Sequence, residues 1–168
     1  MNQLDLKGRH AVITGGAAGL GLAIAHRLLA SGASVTLWDI NAQALDAAVR
    51  ELGAKADSVL VNVTEHESVA AAAKQTAQRH SAIDALVNSA GITGPNVKLW
   101  DYPPQAWQQV MQVNLNGLFH CCRELVPLMR ARNYGRIVNI ASVAGQDGHP
   151  NASAHRAHTA EGMSLPHS

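Results

Sequence analysis

Short apolar runs alternate with stretches of helical periodicity along the first half of the chain. His10 to Thr14 (HAVIT) is a short apolar run that stops at Gly15-Gly16, the pattern of a buried strand ending in a tight turn. Leu20, Ile24 and Leu28 then recur at helical spacing as far as Ser31-Gly32, where glycine ends the helix. A second strand, Ser34 to Asp39, follows at once. Ala42 to Leu52 reads as helix, Ser58 to Val63 as strand, Glu65 to Arg79 as an Ala-rich helix and Ala85 to Asn88 as strand. Strands that are apolar on both faces, separated by amphipathic helices, require a parallel sheet covered on both sides and wound right-handed. The predicted class is therefore α/β, a doubly wound parallel sheet in three αβα layers.

Ile92 to Pro104 is a loop containing Gly and Pro, and Pro103-Pro104 opens a long helix. That helix runs through Trp107, Val110, Met111, Leu118, Phe119 and Leu125, with Pro127 bending its last turns. A fifth strand, Arg136 to Ser142, closes the regular pattern. From Gly145 to Ser168 polar and turn-forming residues dominate, so a loose tail is expected there. The expected division is one domain over residues 1–154 and a divergent, disordered tail over residues 155–168.

Composition supports one well-covered core, since 47% of 168 residues are hydrophobic. Thirteen Lys and Arg face 12 Asp and Glu, a net charge of +1, so no basic field points to nucleic acid. No apolar run approaches the ~20 residues of a membrane span, and the N-terminus lacks a signal-peptide layout. Cys121 and Cys122 are adjacent in a helical pattern, which suits core packing rather than a metal site or disulfide. A soluble cytoplasmic protein acting on small molecules is the resulting expectation, and the Asn-x-Ser/Thr triplets at Asn62 and Asn151 then carry no glycan.

The first strand meets the first helix through Thr14-Gly15-Gly16-Ala17-Ala18-Gly19-Leu20-Gly21. Glycines there allow the backbone to approach a pyrophosphate, whose charge is met by the N–H groups and dipole of the helix N-terminus. The alternative is a Gly-rich turn with no ligand. Asp39 closes the second strand 24 residues after Gly15, near the ~20-residue offset of a ribose-binding acid in dinucleotide folds. Such a carboxylate accepts hydrogen bonds from both ribose hydroxyls and repels a 2′-phosphate, which favours NAD over NADP while leaving NADP possible. A solvated aspartate at a strand end is the plainer alternative.

These segments resemble the short-chain dehydrogenase/reductase family of classical type, built on a Rossmann-type sheet. The T-G-x-x-x-G-x-G spacing of Thr14, Gly15, Gly19 and Gly21, with Leu20 between the last two, resembles the family's form of the turn. Asn88-Ser89-Ala90-Gly91 resembles its N-N-A-G segment, with Ser89 in place of the second Asn. Asn62-Val63 stands where members usually have Asp-Val touching the adenine. Asn114 resembles the helix Asn that holds a water of the proton relay; by residue type alone it is a buried amide in search of partners. Ser142 resembles the catalytic Ser that hydrogen-bonds the substrate oxygen, and no G-x-S-x-G elbow surrounds it to make a nucleophile. The resemblance implies hydride transfer between a nicotinamide and a C–OH/C=O substrate, an alcohol or ketone of the 3-oxoacyl or sugar/polyol type. It also implies a homo-oligomer for intact members.

The pattern breaks thirteen residues after Ser142, where the family has Tyr and, four residues on, Lys. Here His155 and Thr159 occupy those positions. The family's Tyr exchanges the substrate proton, and its pKa of ~10 must be lowered by a nearby ammonium that Thr159 does not carry. His155 titrates near pH ~6.5 when unperturbed, so it is either a remnant position or a substitute acid. The missing family helices would leave the fifth strand as an exposed edge with apolar surface beside it. Two readings follow: an NAD(P)-dependent oxidoreductase, or a catalytically inactive NAD-binding fragment cut off at its C-terminal end. A metal site from His149, His155, His158 and His167 is the weakest idea, because the surrounding segment is poorly helical; no metal is expected.

Overall fold

The computed structural model describes residues 5–141. Five parallel strands form one sheet: β1 (His10–Thr14), β2 (Ser34–Asp39), β3 (Ala56–Leu60), β4 (Ala85–Asn88) and β5 (Arg136–Asn139). Their order across the sheet is β3-β2-β1-β4-β5. After β3 reaches one edge, the chain returns to pair β4 with β1 on the other side. The crevice of an open α/β sheet opens where the order reverses, here at the C-terminal ends of β1 and β4.

Alternation of side chains along each strand builds two cores. Val12, Trp38, Val59, Val61 and Leu86 pack against Val69, Ala72 and Ala73 of α3 (His66–Arg79) and against Cys121, Leu125 and Met129 of α5 (Gly117–Ala131). On the opposite face Ile13, Val35, Leu37 and Val87 meet Ala25 of α1 (Gly19–Ala30) and Leu45 and Ala48 of α2 (Ala42–Leu52). The doubly wound αβα sandwich expected from the apolar strands is therefore present. Cys121 lies in the first core and Cys122 packs on it, both as free thiols, as their helical setting implied.

Boundaries differ from the sequence expectation by more than one residue at three places. β3 spans Ala56–Leu60 rather than Ser58 to Val63. The Val61 N–H still donates to the Asp39 carbonyl at 2.8 Å, but Asn62 then turns the chain by accepting from Thr64 N and Thr64 Oγ1 at 3.1 and 2.8 Å. The long helix divides into α4 (Pro104–Met111), a π-helical turn over Gln112–Asn116, and α5, which continues past Pro127 to Ala131. β5 ends at Asn139 rather than Ser142. Within the loop before α4, Leu99–Asp101 forms a 3-10 turn.

β5 is an edge of the sheet among the described residues, and Val138 on it and Ile140 just past it are both more than one-third exposed. No helix among the described residues is long and apolar enough to cross a membrane.

Candidate active site

The turn after β1 is shaped by what a side chain would strike. Gly15 has φ +62°, and a Cβ there would lie 2.9 Å from the Ala90 Cα. A Cβ on Gly21 would run into the Gly15 carbonyl, so this glycine lets the first turn of α1 close onto the loop. Gly19, at φ +54°, has nothing within 4 Å of its missing Cβ and faces open space. Ala18 precedes the helix in extended conformation and no side chain caps its N-terminus. Leu20, in that first turn, is exposed. Uncapped N–H groups beside a surface kept clear by glycine fit an anionic diphosphate.

Thr14 ties this turn to the segment after β4. Its Oγ1 accepts from the Ser89 and Ala90 N–H groups at 3.0 and 3.1 Å. Thr14→Val keeps the shape and leaves both donors without their acceptor, so a loss of about 2 kcal/mol in stability is expected, measured by urea unfolding.

Two cavities lie along the C-terminal edge and share Val63, Ala90, Gly91, Ile92 and Val113 in their walls. The first, about 330 Å³, adjoins Gly15, Asp39, Ile40 and Asn62. Asp39 is partly exposed there; its Oδ2 accepts from Ala17 N at 3.2 Å and its Oδ1 from Asn41 N at 3.1 Å. One carboxylate thus orders the glycine turn while remaining beside the cavity. Asn62 also borders the space, although its amide is committed locally, accepting from Thr64 and donating to Glu65 Oε1 at 2.8 Å.

The second cavity, about 200 Å³, is bounded by Thr14, Asn88, Ser89, Asn114, Gly117 and Ala141 among others. Asn88 donates to Asn139 Oδ1 at 2.9 Å and to the Cys122 sulfur at 3.6 Å, joining β4 to β5 and α5. Asn114 lies buried in the π-helical turn. Its Oδ1 accepts from Ile92 N and its Nδ2 donates to the Ile92 carbonyl, both at 2.8 Å. The amide therefore clamps the segment after Gly91 onto the α4–α5 junction, and a π turn is a common way to aim such a group into a site.

Among the described residues neither cavity is lined by a lysine or arginine, so an anion bound against them would meet backbone N–H groups rather than side-chain cations. Asp39 is the one acidic side chain among the described lining residues. Burial pushes the Cys121 thiol up to about 12 and also raises Cys122, which excludes a ready thiolate nucleophile. Ser142, which follows Ala141 directly, lies outside the described residues, as do His149, His155, His158, Thr159 and His167. Among the described residues no group of His, Cys, Asp and Glu is placed to hold a metal ion.

Sequence reasoning missed Ile40, Gln109, Val113 and Gly117 as cleft residues. Gly117 was detectable: a glycine inside a helical pattern marks a close approach, and its Cβ would sit 2.9 Å from the Val63 Cγ2. The others are apolar or polar helix and strand-end positions with no signal of their own.

The family model described as short chain dehydrogenase matches residues 9–160. The chain is 51% identical over 150 residues to the 2-dehydro-3-deoxy-L-rhamnonate dehydrogenase (NAD(+)) of a Sphingomonas species, covering 89% of this chain and 60% of that protein. It is 35% identical over 157 residues to the 3-oxoacyl-[acyl-carrier-protein] reductase FabG of Thermotoga maritima, covering 92% and 63%. Among solved structures, NAD+-bound xylitol dehydrogenase superposes with a TM-score of 0.91 at 36% identity, covering 95% of this chain and 63% of that one. The chain thus spans about three-fifths of the length of these relatives. With the glycine turn, the Thr14 tie and the cleft at the sheet reversal in place, the chain belongs to the short-chain dehydrogenase family.

Proposed function

We propose that residues 5–141 form the dinucleotide-binding part of an NAD(P)-dependent oxidoreductase acting on a C–OH/C=O pair, with NAD the preferred cofactor. The single observation that carries this is the glycine turn: an uncapped helix N-terminus, held by Gly21 against the loop and kept open by Gly19, next to the Asp39 carboxylate. Thr14, Gly15, Gly19, Leu20 and Gly21 would hold the diphosphate, and Asp39 the adenosine ribose. Asn62 and Val63 would border the adenine, with Asn88, Ala90 and Gly91 lining the floor of the cleft. When bound, the nicotinamide supplies the hydride donor or acceptor. Asp39 disfavours a 2′-phosphate, since two like charges a few ångströms apart repel.

The proton that accompanies hydride must be handled by side chains. None of the described lining residues is a suitable acid or base, because Asp39 is committed to the glycine turn. Ser142 would hydrogen-bond the substrate oxygen, Asn114 would hold the relay in place, and His155 would be the residue to exchange the proton. The substrate is an alcohol or ketone; the named relatives act on a sugar acid and on an acyl thioester carrier, and the 51% identity favours the former class.

A second reading, dinucleotide binding without turnover, is favoured by His155 and Thr159 in the positions of the family's Tyr and Lys. One assay separates the two. Turnover on a panel of sugar acids, polyols and ketones with NAD+ or NADH, abolished by His155→Ala, supports the enzyme. NADH binding with no turnover on any member of the panel supports the binding reading for this chain.

A further inference from the structure

At the end of the sheet opposite the cleft, polar side chains are buried where the apolar pattern of the strands would place a core. His10 on β1 is 4% exposed and Thr36 on β2 is fully buried. The His10 ring bridges two strands: Nδ1 lies 2.8 Å from Ser34 Oγ and Nε2 lies 2.9 Å from Thr36 Oγ1. His80, just past α3, stacks on His10 with centroids 3.6 Å apart, and its Nε2 lies 3.0 Å from Asp57 Oδ2 on β3. Trp38 Nε1 donates to Thr76 Oγ1 at 3.2 Å, continuing the polar seam along α3.

The directions of these bonds follow from Asp57, which as a carboxylate only accepts. Thr36 Oγ1 and His80 Nε2 donate to it, and burial, which opposes its ionisation, is outweighed by these bonds, so its pKa falls below the usual range. Thr36 Oγ1, which also lies 3.3 Å from His80 Nε2, can then accept from His10 Nε2–H, and on a neutral ring His10 Nδ1 accepts at 2.8 Å from the Ser34 hydroxyl, whose other acceptor, the Arg9 carbonyl, is 3.5 Å away. The neutral ring satisfies both side-chain contacts of His10, whereas a protonated ring must turn the Ser34 hydroxyl from the 2.8 Å contact to the longer 3.5 Å one. Its remaining neighbours are Asp84, whose Oδ2 takes the His10 backbone N–H at 2.9 Å while Oδ1 pairs with Arg9 at 2.9 Å, and Arg79, 3.6 Å from Asp57. Tyr134 lies under Arg9. A hollow of about 250 Å³ lined by Arg9, His10, Ser34, Lys55 and His80 gives protons a path to the cluster.

We propose that His10, Thr36, Asp57 and His80 form a proton-sensitive lock that holds edge strand β3 and the end of α3 to the sheet while His10 is neutral and releases them when it is protonated. β3 runs from Asp57 towards Val61 and Asn62, which border the cavity beside Asp39, so release also weakens binding there; this second part rests on the dinucleotide reading. Burial, and after it the charge on His80, lower the His10 pKa to about 4, against the partial opposition of Asp57 and Asp84. A histidine lowered in the folded state contributes stability that is complete above its unfolded pKa of ~6.5 and is lost as pH falls towards the folded value.

Urea unfolding of the full chain from pH 7 to pH 5 tests the lock. The unfolding equilibrium constant is expected to rise about tenfold more for the wild type than for His10→Gln, whose amide keeps a donor towards Thr36 and does not titrate. His26→Gln, altering an exposed pair with Glu51, is expected to behave as the wild type. Equal pH dependence in His10→Gln and the wild type would overturn the proposal. If His10→Gln does not fold, NMR titration of the wild-type rings decides: a His10 midpoint below 5 supports the lock and one near 6.5 sinks it. ADP-ribose affinity, measured alongside, should fall more between pH 5 and pH 4 in the wild type than in His10→Gln. Absence of ADP-ribose binding at pH 7 would instead count against the dinucleotide reading and leave the unfolding and NMR arms to judge the lock.

Discussion

Gly21→Ala is expected to destabilise the chain by about 3 kcal/mol and to abolish measurable NADH binding, because the added methyl meets the Gly15 carbonyl, part of the backbone that shapes the turn. The helix must shift away from the loop, and both the packing of α1 and the aim of its N–H groups are lost together. Gly19→Ala separates these two effects. Its Cβ meets nothing within 4 Å, so the structural penalty is the positive φ alone, about 1–2 kcal/mol. The same methyl occupies the open surface where the diphosphate would lie, and NADH affinity is expected to drop at least tenfold. Urea unfolding and fluorescence titration of both variants check the pair. A Gly19→Ala protein that binds NADH as tightly as the wild type would show that the turn does not hold the ligand.

Asp39→Asn carries the second large effect. The amide keeps an acceptor for the Asn41 N–H and loses the one for the Ala17 N–H, so a stability loss of about 1 kcal/mol is expected. The charge disappears as well. Hydrogen bonds to an ionised group contribute about 1.5–3 kcal/mol, so NADH affinity is expected to fall by about tenfold or more. NADPH, no longer repelled at its 2′-phosphate, is expected to lose little, and the preference for NADH shrinks by at least tenfold. Parallel titrations with both cofactors read this ratio. An unchanged ratio would remove Asp39 from the specificity argument and return it to its role of ordering Ala17 and Asn41.

Much of the sheet was legible in the sequence because its strands are short apolar runs cut by glycine and its first three helices keep a clear period. β1, β2, β4 and α2 fall where the pattern places them. β3 was displaced because Val61 and Val63 continue the apolar pattern beyond the last strand residue. The turn is made by the Asn62 side chain, a tertiary detail that periodicity does not register. Likewise the π turn at Gln112–Asn116 is invisible to a period of 3.6, although it is what buries Asn114 against Ile92.

Within the cleft, glycines and Asp39 announced themselves by spacing, whereas the roles of Thr14 and Asn114 as backbone clamps depend on contacts 75 and 22 residues away. The polar cluster at the other end of the sheet was wholly hidden. His10 reads as the first residue of an apolar run, and nothing in the sequence joins it to Asp57 or His80.

We propose that this cleft binds a dinucleotide through the glycine turn and Asp39. Equilibrium titration of the purified chain with NADH and NADPH, followed by reduced-nicotinamide fluorescence, tests it most directly. Saturable one-to-one binding of NADH is expected, at least tenfold tighter than NADPH and weakened in Gly19→Ala. No saturable binding of either cofactor, or tighter binding of NADPH, would contradict it.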